Sequence, residues 1–393
     1  MGCLYLQKVS QIIDSSLNKN EVVSCCASQL GTIGRKTKAL CIKGVYILAL
    51  LISIPNAAIA KEVSQSQVSV EVTNVQQLRS ALNAANKAKT PTAILLADGI
   101  YKLLGSPLKI VADNITIRSQ SGIRENVVIA GSKMDEGIGV LIDVSADYFT
   151  LVGVTLKNAR WHLIQVRAEK DADFFHLNNC ILQDAGQQLL KVSHAKNGPY
   201  ANFGVVKNSL FEYTAGIGPN YYIGGIDAHH SVNWLVQNNT FKNIASPAKR
   251  VAEHAIHFWK DSKNNRTLNN LIINSDRGIG YGLTNSENQN EGGIISNNII
   301  VHTASNHLFA DVGIGLESSP NTVVTNNIIF STGTYPNAIE YRFKRTTGVF
   351  ITGNVTNKAI KSRDGATATV SGNKSGVRSS QLLHNIQHLI KEK

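Results

Sequence analysis

Along most of the chain, short runs of aliphatic and β-branched residues alternate with polar residues, and one phrase returns at a nearly constant interval. Copies of this phrase lie at 175–182, 204–211, 234–241, 266–273, 293–300, 322–329 and 348–355. Each copy holds an asparagine at a similar place, at positions 179, 208, 239, 270, 298, 327 and 354. Alternation with a period of two residues is typical of β-strands. The pattern therefore predicts a repetitive β architecture with one structural unit per repeat.

The length of the repeat narrows the architecture. Successive asparagines are 27 to 31 residues apart, and no leucine consensus accompanies them. This spacing disfavours leucine-rich repeats, and it is too short for the four strands of a propeller blade. We predict an all-β fold, a single-stranded right-handed parallel β-helix whose coils stack about 4.8 Å apart. Equivalent asparagine side chains would then form a ladder that binds the backbone of the neighbouring coil.

Both ends of such a solenoid need a cover, because an exposed terminal coil is an open sheet edge. A T-x-x-Q capping box begins at Thr73, and Val75, Leu78 and Leu82 follow at helical spacing. A second run with helical spacing follows Ser380. We expect cap helices over about 74–87 and 380–391, at the two ends of one β-helix domain at 61–393.

The first 60 residues have a different character. The apolar run 44–54 follows Arg35, Lys36, Lys38 and Lys43, and it leads to the A-x-A pattern that ends at Ala60. This order is typical of a cleaved signal segment, so we predict export to the periplasm or the extracellular space. An uncleaved anchor is the alternative. No apolar run reaches the roughly 18 residues of a membrane span, so we expect no integral span in the mature chain.

Charge and cysteine content change once this segment is set aside. The chain has a formal net charge of +12, and residues 1–60 hold six basic and two acidic residues, which leaves +8 for the rest. Only Cys180 remains, which excludes a disulfide framework and a cysteine-based zinc site. The basic residues are not interleaved with aromatic residues in any stripe, so nucleic acid is not an expected partner.

A second aligned phrase, a small residue followed by isoleucine and then by alternation, marks another strand of each coil. Its copies begin at Gly225, Ala255, Gly278, Gly313, Ala338 and Ala359. Because strand side chains alternate between faces, two outward columns are predictable. The first contains Asp227, His257, Gly280, Gly315, Glu340 and Lys361, and the second contains His229, Trp259, Gly282, Glu317, Arg342 and Arg363.

These columns supply candidate residues for binding. Trp259 offers a stacking plane, and Gly280 and Gly282 would form a flat floor on which a sugar chain could lie. Glu317, Glu340 and Arg363 complete the set of substrate-binding candidates. A calcium ion prefers hard oxygen ligands, and Asp227, Glu317 and Asp311 could supply them. Ladders of structural ion pairs are the alternative interpretation of the paired acids and arginines.

The coils, the asparagine column and the segment from Val75 to Tyr101 resemble the polysaccharide lyases of the alginate and chondroitin lyase type, over about 70–370. The sequence L-A-D-G-I-Y at 96–101 is similar to the first strand of that family, and 260–265 is similar to its lysine segment. The resemblance implies a lysine and an arginine in adjacent coils, with calcium assistance. Here Trp259 occupies the position of the family's lysine, and Lys260 lies one residue later. Gly282 occupies the position of the family's arginine, and Arg277 lies five residues earlier.

The chemistry that suits this surface is proton abstraction from an acidic polysaccharide of the polyuronate class. Such a reaction needs a cation at the carboxylate, a base for the C5 proton and an acid at the leaving oxygen. We expect Arg342 or Arg277 to neutralise the carboxylate. His257, oriented by Asp227, would be the base.

His229 or Lys260 would be the second acid–base group. A lyase or a C5-epimerase is the expected function. The alternatives are a glycoside hydrolase that uses Glu317 and Glu340 and a non-catalytic carbohydrate-binding or structural β-helix protein.

Overall fold

The computed structural model describes residues 67–391, and the chain in this range coils into a parallel β-helix. Each full coil contributes one strand to each of three long sheets, and neighbouring strands in a sheet come from successive coils and run parallel. The predicted fold class is therefore confirmed.

The strands form four sheets, called sheets 1 to 4 below. Sheet 2 is the one that carries the two outward columns. Sheet 1 contains Val68–Val72, Thr92–Leu96, Ile115–Ser119, Thr150–Val152, His176–Asn178, Val205–Lys207, Leu235–Gln237, Arg266–Leu268, Ile294–Ser296, Val323–Thr325, Val349–Thr352 and Ala368–Ser371. Sheet 2 contains Leu108–Ile110, Val140–Val144, His162–Arg167, Gln188–Ser193, Gly224–His229, His254–Trp259, Arg277–Gly282, Ile314–Glu317, Asn337–Arg342 and Ala359–Arg363.

The remaining strands complete the coils. Sheet 3 contains Gly99–Lys102, Val127–Ala130, Thr155–Ala159, Ile181–Ala185, Leu210–Glu212, Thr240–Lys242, Leu271–Ile273, Ile299–His302, Ile328–Ser331 and Val355–Thr356. The short sheet 4 contains Ala201–Asn202, Ser231–Val232, Ser262–Lys263 and Asn290–Glu291. A single turn of 3₁₀ helix lies at Ala168–Lys170.

Two helices lie where cap helices were expected, α1 at Val75–Ala88 and α2 at Ser379–Lys391. The N-cap of α1 is Asn74, whose side chain accepts a hydrogen bond from the backbone N–H of Gln77 at 3.0 Å. The Gln77 side chain in turn accepts from the backbone N–H of Thr73 at 2.8 Å. The capping box is therefore one residue later than predicted. Leu78 and Leu82 are buried on the inner side of α1.

The interior of the coils is filled by the inward residues of each strand. In sheet 2 these residues stack in columns and are buried, as the alternation predicts; they are Ile226, Ala228, Ile256, Phe258, Ile279, Tyr281, Ile314, Leu316, Ile339 and Tyr341. Burial of a side chain of this size stabilises the fold by about 1.5–3 kcal/mol. The core thus holds the outward columns of sheet 2 in register.

An asparagine ladder runs through the turns between sheets 1 and 3. It consists of Asn239, Asn270, Asn298, Asn327, Asn354 and Asn373. The Oδ1 atom of each accepts the backbone N–H of the equivalent residue one coil earlier, at 2.9 or 3.0 Å. The Nδ2 atoms donate to carbonyls of the earlier coil as well, from Val206 through Ile351. Buried turns therefore keep their polar groups satisfied.

Two members of the predicted asparagine column do not belong to the ladder. Asn179 and Asn208 have positive φ angles of 53° and 55°. They align with Asn238, which precedes the ladder residue Asn239. The ladder position in their coils is taken by Cys180 and Ser209, and Cys180 N–H donates to the Ser209 hydroxyl at 3.1 Å. Asparagine also tolerates left-handed backbone, so an asparagine in this turn does not by itself reveal which of the two positions it fills.

The expected export segment at 1–60 lies outside the described residues. Within 67–391, neither helix has the length and apolar character that crossing a membrane requires.

Candidate active site

The two outward columns of sheet 2 have the predicted register. Asp227 pairs with His257, which pairs with Gly280, and the column continues through Gly315 and Glu340 to Lys361. In the other column His229 is beside Trp259, and Gly282 leads through Glu317 and Arg342 to Arg363. The side chains divide into two groups, a histidine cluster around Asp227 and an ion-pair cluster around Arg342.

Asp227 is the centre of the histidine cluster. Its carboxylate forms a short ion pair with Lys191, accepts the indole N–H of Trp259 at 2.7 Å, and lies 3.5 Å from His229 Nε2. Burial by itself would raise the pKa of Asp227, but the Lys191 ammonium holds that pKa well below its ordinary value. The carboxylate is therefore a fixed anion.

Lys191 is a residue that the sequence analysis missed. It lies in the strand Gln188–Ser193 and pairs in register with Asp227, so it extends the first outward column by one coil. The preceding coil is longer than the others, and its strand does not begin with the small residue and isoleucine of the repeated phrase. The alternation of the strand Gln188–Ser193 was the available signal for an outward lysine.

A chain of hydrogen bonds leads from this ion pair towards the surface. Lys191 Nζ lies 3.0 Å from His229 Nε2, and His229 Nδ1 lies 2.9 Å from His194 Nδ1. An ammonium can only donate, so His229 Nε2 accepts and His229 Nδ1 carries the proton that His194 accepts. Burial lowers the pKa of both imidazoles, and both are thus neutral at pH 7. His194, which the sequence analysis left without a role, is half-buried and ends the chain.

His257 does not have the environment that the sequence predicts. Its Nδ1 is 3.8 Å from Asp227 Oδ1, too far for a hydrogen bond, and its Nε2 lies 3.0 Å from the carbonyl oxygen of Gly282. The expected orientation of His257 by Asp227 is therefore wrong. The ring is completely buried, so a polymeric substrate has no access to it, and the assignment of His257 as the base is corrected.

The expected sugar platform is also occupied by protein. The Trp259 ring stacks on His257 with centroids 5.2 Å apart, and Lys260 Nζ lies 4.8 Å from the centre of the indole. A Cβ atom on Gly280 would be 2.6 Å from His254 Nε2, so the glycine makes room for that ring. Gly282 is buried, with a φ of 76°. The structure places the His254 ring where we expected a sugar.

The ion-pair cluster takes up the arginines and acids of the later coils. Arg342 bonds Glu317 at 3.3 Å and Asp364 at 2.9 Å. Arg363 bonds Glu340 at 3.0 Å. Burial raises the pKa of Glu317, against the opposing effect of Arg342.

Arg277 bonds Asp311 at 3.2 Å and pairs in register with His254, which places it at the edge of the histidine cluster. The predicted neutralising arginines therefore already have carboxylate partners.

The predicted calcium ligands have the same difficulty. Asp227, Glu317 and Asp311 are each paired with a cationic side chain. Carboxylates held in this way are poor calcium ligands, because binding would leave the lysine or arginine without its counter-ion. This set does not fit calcium.

Comparisons with known proteins give structural matches alone. No protein-family model and no curated protein matches the chain. Similar solved structures include the A-module of the Azotobacter vinelandii mannuronan C-5 epimerase AlgE6, with 12% identity, 77% of this chain and 99% of that chain covered, and a TM-score of 0.47. A PL6 family polysaccharide lyase from Pseudopedobacter saltans has 12% identity, coverage of 78% and 92%, and a TM-score of 0.49. A GH136 lacto-N-biosidase from Eubacterium ramulus has 11% identity, coverage of 78% and 67%, and a TM-score of 0.49. Likeness at this level carries no argument about activity.

Proposed function

We propose that this protein is an exported enzyme that removes the proton beside the carboxylate of a uronate in an acidic polysaccharide, as a lyase or a C5-epimerase. The observation that carries the proposal is the hydrogen-bonded chain from Lys191 through His229 to His194. It connects a buried ammonium to a half-buried imidazole, and such a connection can supply a proton at one fixed place.

The hydrogen bonds support one choice of acid and base at the outer end of this chain. His194 Nδ1 accepts from His229, so its Nε2 carries the hydrogen and can donate to a leaving oxygen. The neighbouring His230 has its Nδ1 3.4 Å from the carbonyl oxygen of Pro199, which can only accept. His230 Nε2 therefore has the free lone pair of a base. The two rings are 4.9 Å apart. His230 is largely buried but keeps 7% of its surface exposed, whereas His257 keeps none.

In the proposed elimination, His230 Nε2 takes the C5 proton and the electron pair forms the C4–C5 double bond. The C4–O bond breaks, and the leaving oxygen takes the proton of His194 Nε2. Lys191 replaces that proton through His229. In an epimerase, the proton returns to C5 from the opposite face and no bond to oxygen breaks.

Lys260 is the cation we assign to the substrate carboxylate. Burial lowers the pKa of His194, and the nearby Lys260 ammonium lowers it further. Arg277 and Arg342 are less suitable because each already neutralises an acid. Glu317 and Glu340 are likewise held by arginines, so the arrangement favours proton abstraction over the hydrolase alternative.

The test is a panel of polyuronates incubated with the full chain. Formation of an unsaturated sugar, followed by ultraviolet absorbance, reports a lyase, and uptake of solvent deuterium at C5 reports an epimerase. We expect His194→Gln and His230→Gln to lower kcat by about 100-fold or more. His176→Gln, which changes a half-buried histidine in sheet 1, is the matched control and should leave kcat unchanged.

Three results would contradict the proposal. New reducing ends without unsaturation would indicate a hydrolase. Binding of a polyuronate without any product would indicate a non-catalytic binding protein. Full activity in both histidine variants would show that His194 and His230 are not the acid and the base, even if the proposed reaction is correct.

A further inference from the structure

Three side chains at the start of the strand His254–Trp259 converge without satisfying one another. One ligand atom from each of Glu253, His254 and His257 lies within 4.8 Å of the others. Glu253 Oε2, His254 Nδ1 and His257 Nδ1 make no hydrogen bond within the part of the chain that the structure describes. His254 and His257 are buried, with 5% and 0% of their surface exposed. Three unsatisfied buried polar atoms in one place require an explanation.

The protonation of His257 sharpens this observation. Its Nε2 faces the carbonyl oxygen of Gly282 at 3.0 Å, and a carbonyl only accepts, so Nε2 carries the hydrogen. In the neutral ring the Nδ1 lone pair then points towards Glu253 Oε2 at 4.0 Å and Asp227 Oδ1 at 3.8 Å. A lone pair that faces two carboxylates is electrostatically unfavourable unless a cation lies between them.

A metal ligand has this arrangement. A coordinating histidine usually donates its other N–H to a carbonyl or a carboxylate, which fixes the ring and directs the free nitrogen at the metal. The Gly282 carbonyl has that position here. Gly282 itself must be glycine, because its backbone is left-handed and a Cβ would collide with the Glu317 carbonyl. Gly280 leaves room for the His254 ring, since a Cβ there would collide with that ring.

We propose that Glu253, His254 and His257 bind a divalent transition metal such as zinc. Two imidazoles and one carboxylate form a ligand set that zinc uses with a fourth position left open, whereas calcium prefers oxygen ligands alone. The three ligand atoms lie within 4.8 Å of one another. The Glu253 side chain keeps 21% of its surface exposed, so in the proposed metal-bound form its carboxylate would move towards the two histidines. The inference does not depend on the reaction proposed above.

The test measures metal binding by the full chain directly. After treatment with a chelator, the protein is titrated with Zn²⁺, and the bound zinc per chain is measured by inductively coupled plasma mass spectrometry. We expect one zinc per chain and a higher midpoint of thermal unfolding, since a ligand that binds only the folded state stabilises it. Loss of a group that only orients a metal ligand costs roughly 10–100-fold in metal affinity. His254→Gln and His257→Gln remove a ligand itself, so each should weaken zinc binding by at least that factor.

The control is His302→Gln, which removes another buried histidine whose ring nitrogens have no hydrogen-bond partner in the described range. This variant should bind zinc normally. Where a histidine variant does not fold, Glu253→Gln and the visible spectrum of Co²⁺ bound to the unaltered chain decide. Absence of stoichiometric zinc, equal loss in the control, or equally tight binding of Ca²⁺ would overturn the proposal.

Discussion

The Asp276 carboxyl is buried just before the strand Arg277–Gly282, and within residues 67–391 it forms no ion pair with a cationic side chain. One oxygen, Oδ2, accepts the backbone N–H groups of Ser246 at 3.0 Å and Ala252 at 2.8 Å. The other oxygen makes no hydrogen bond to the described chain. Burial raises the pKa of Asp276 to about 6, although the two backbone hydrogen bonds oppose the shift. The folded protein therefore binds this proton more tightly than the unfolded chain does.

This shift has a definite sign for stability. Between the unfolded pKa near 3.8 and the folded pKa of about 6, rising pH removes stability. The loss amounts to about 3 kcal/mol at most by pH 7. We therefore expect Asp276→Asn to be more stable than the parent at pH 7 and no more stable at pH 4. Urea unfolding of both proteins across this range measures the difference, and a difference that does not vary with pH would contradict the assignment.

Sequence reasoning found the column positions of the site but not its contacts. Strand alternation placed Asp227, His229 and His257 on one face, which the register confirms. Which of them touch depends on side-chain rotamers, and Asp227 turns to Lys191 and Trp259 rather than to His257. These contacts come from side-chain orientation and from the irregular preceding coil, and neither leaves a periodic trace in the sequence.

At the scale of one element, the turn that joins sheets 1 and 3 uses two adjacent asparagines for different purposes. Asn297 has a φ of 57° and closes the turn. Asn298 points inward, accepts the Asn270 N–H at 2.9 Å and donates to the Thr267 carbonyl at 2.9 Å. The first requirement is conformational and the second is a hydrogen-bonding one, so the two positions should respond differently to substitution.

We expect Asn298→Ala to destabilise the protein by roughly 2–5 kcal/mol, because it leaves the Asn270 N–H and the Thr267 carbonyl buried and unsatisfied. Asn297→Gly should change the free energy of unfolding by less than about 1 kcal/mol, because glycine adopts a positive φ freely. Unfolding in urea compares the two variants. Equal losses at both positions would show that the inward amide has no special role.

The elements themselves were the most predictable part of the molecule. A period of 27 to 31 residues is a property of the backbone path and appears in the sequence wherever a coil is regular. The ladder was predicted correctly from Asn239 to Asn354, where an inward asparagine recurs in every coil. It was misplaced at Asn179 and Asn208, which have left-handed backbone, because the ladder position one residue later holds Cys180 or Ser209 in these coils.

At the scale of the whole molecule, the arginines of sheet 2 add little unpaired positive charge to the site. The outward cations Arg277, Arg342, Lys361 and Arg363 share one face, but the three arginines are paired with acids of the same face. The net charge, +12 for the whole chain and +8 without residues 1–60, is therefore a long-range property rather than a feature of one site. A polyanion would be attracted to it before any specific contact forms.

That attraction predicts a salt effect on the proposed partner. Binding of a polyuronate should weaken by about tenfold or more as ionic strength rises from about 0.01 M to 0.15 M, where the Debye length falls from about 30 Å to about 8 Å. Calorimetry or fluorescence anisotropy measures the affinity. A neutral polysaccharide of similar length is the control and should show no such change. Binding of the polyuronate that is independent of salt would argue against an acidic partner.

The ladder also determines how this molecule would respond to mechanical tension. Each ladder asparagine bonds the coil before it, 27 to 31 residues earlier along most of the stack. A force that pulls on the C-terminal end therefore meets these bonds one coil at a time. Each coil that detaches releases roughly 100 Å of chain at about 3.3–3.6 Å per residue. The β-helix would extend in nearly equal steps. The work of pulling would be spread over the unfolding of successive coils rather than concentrated in a single unfolding event.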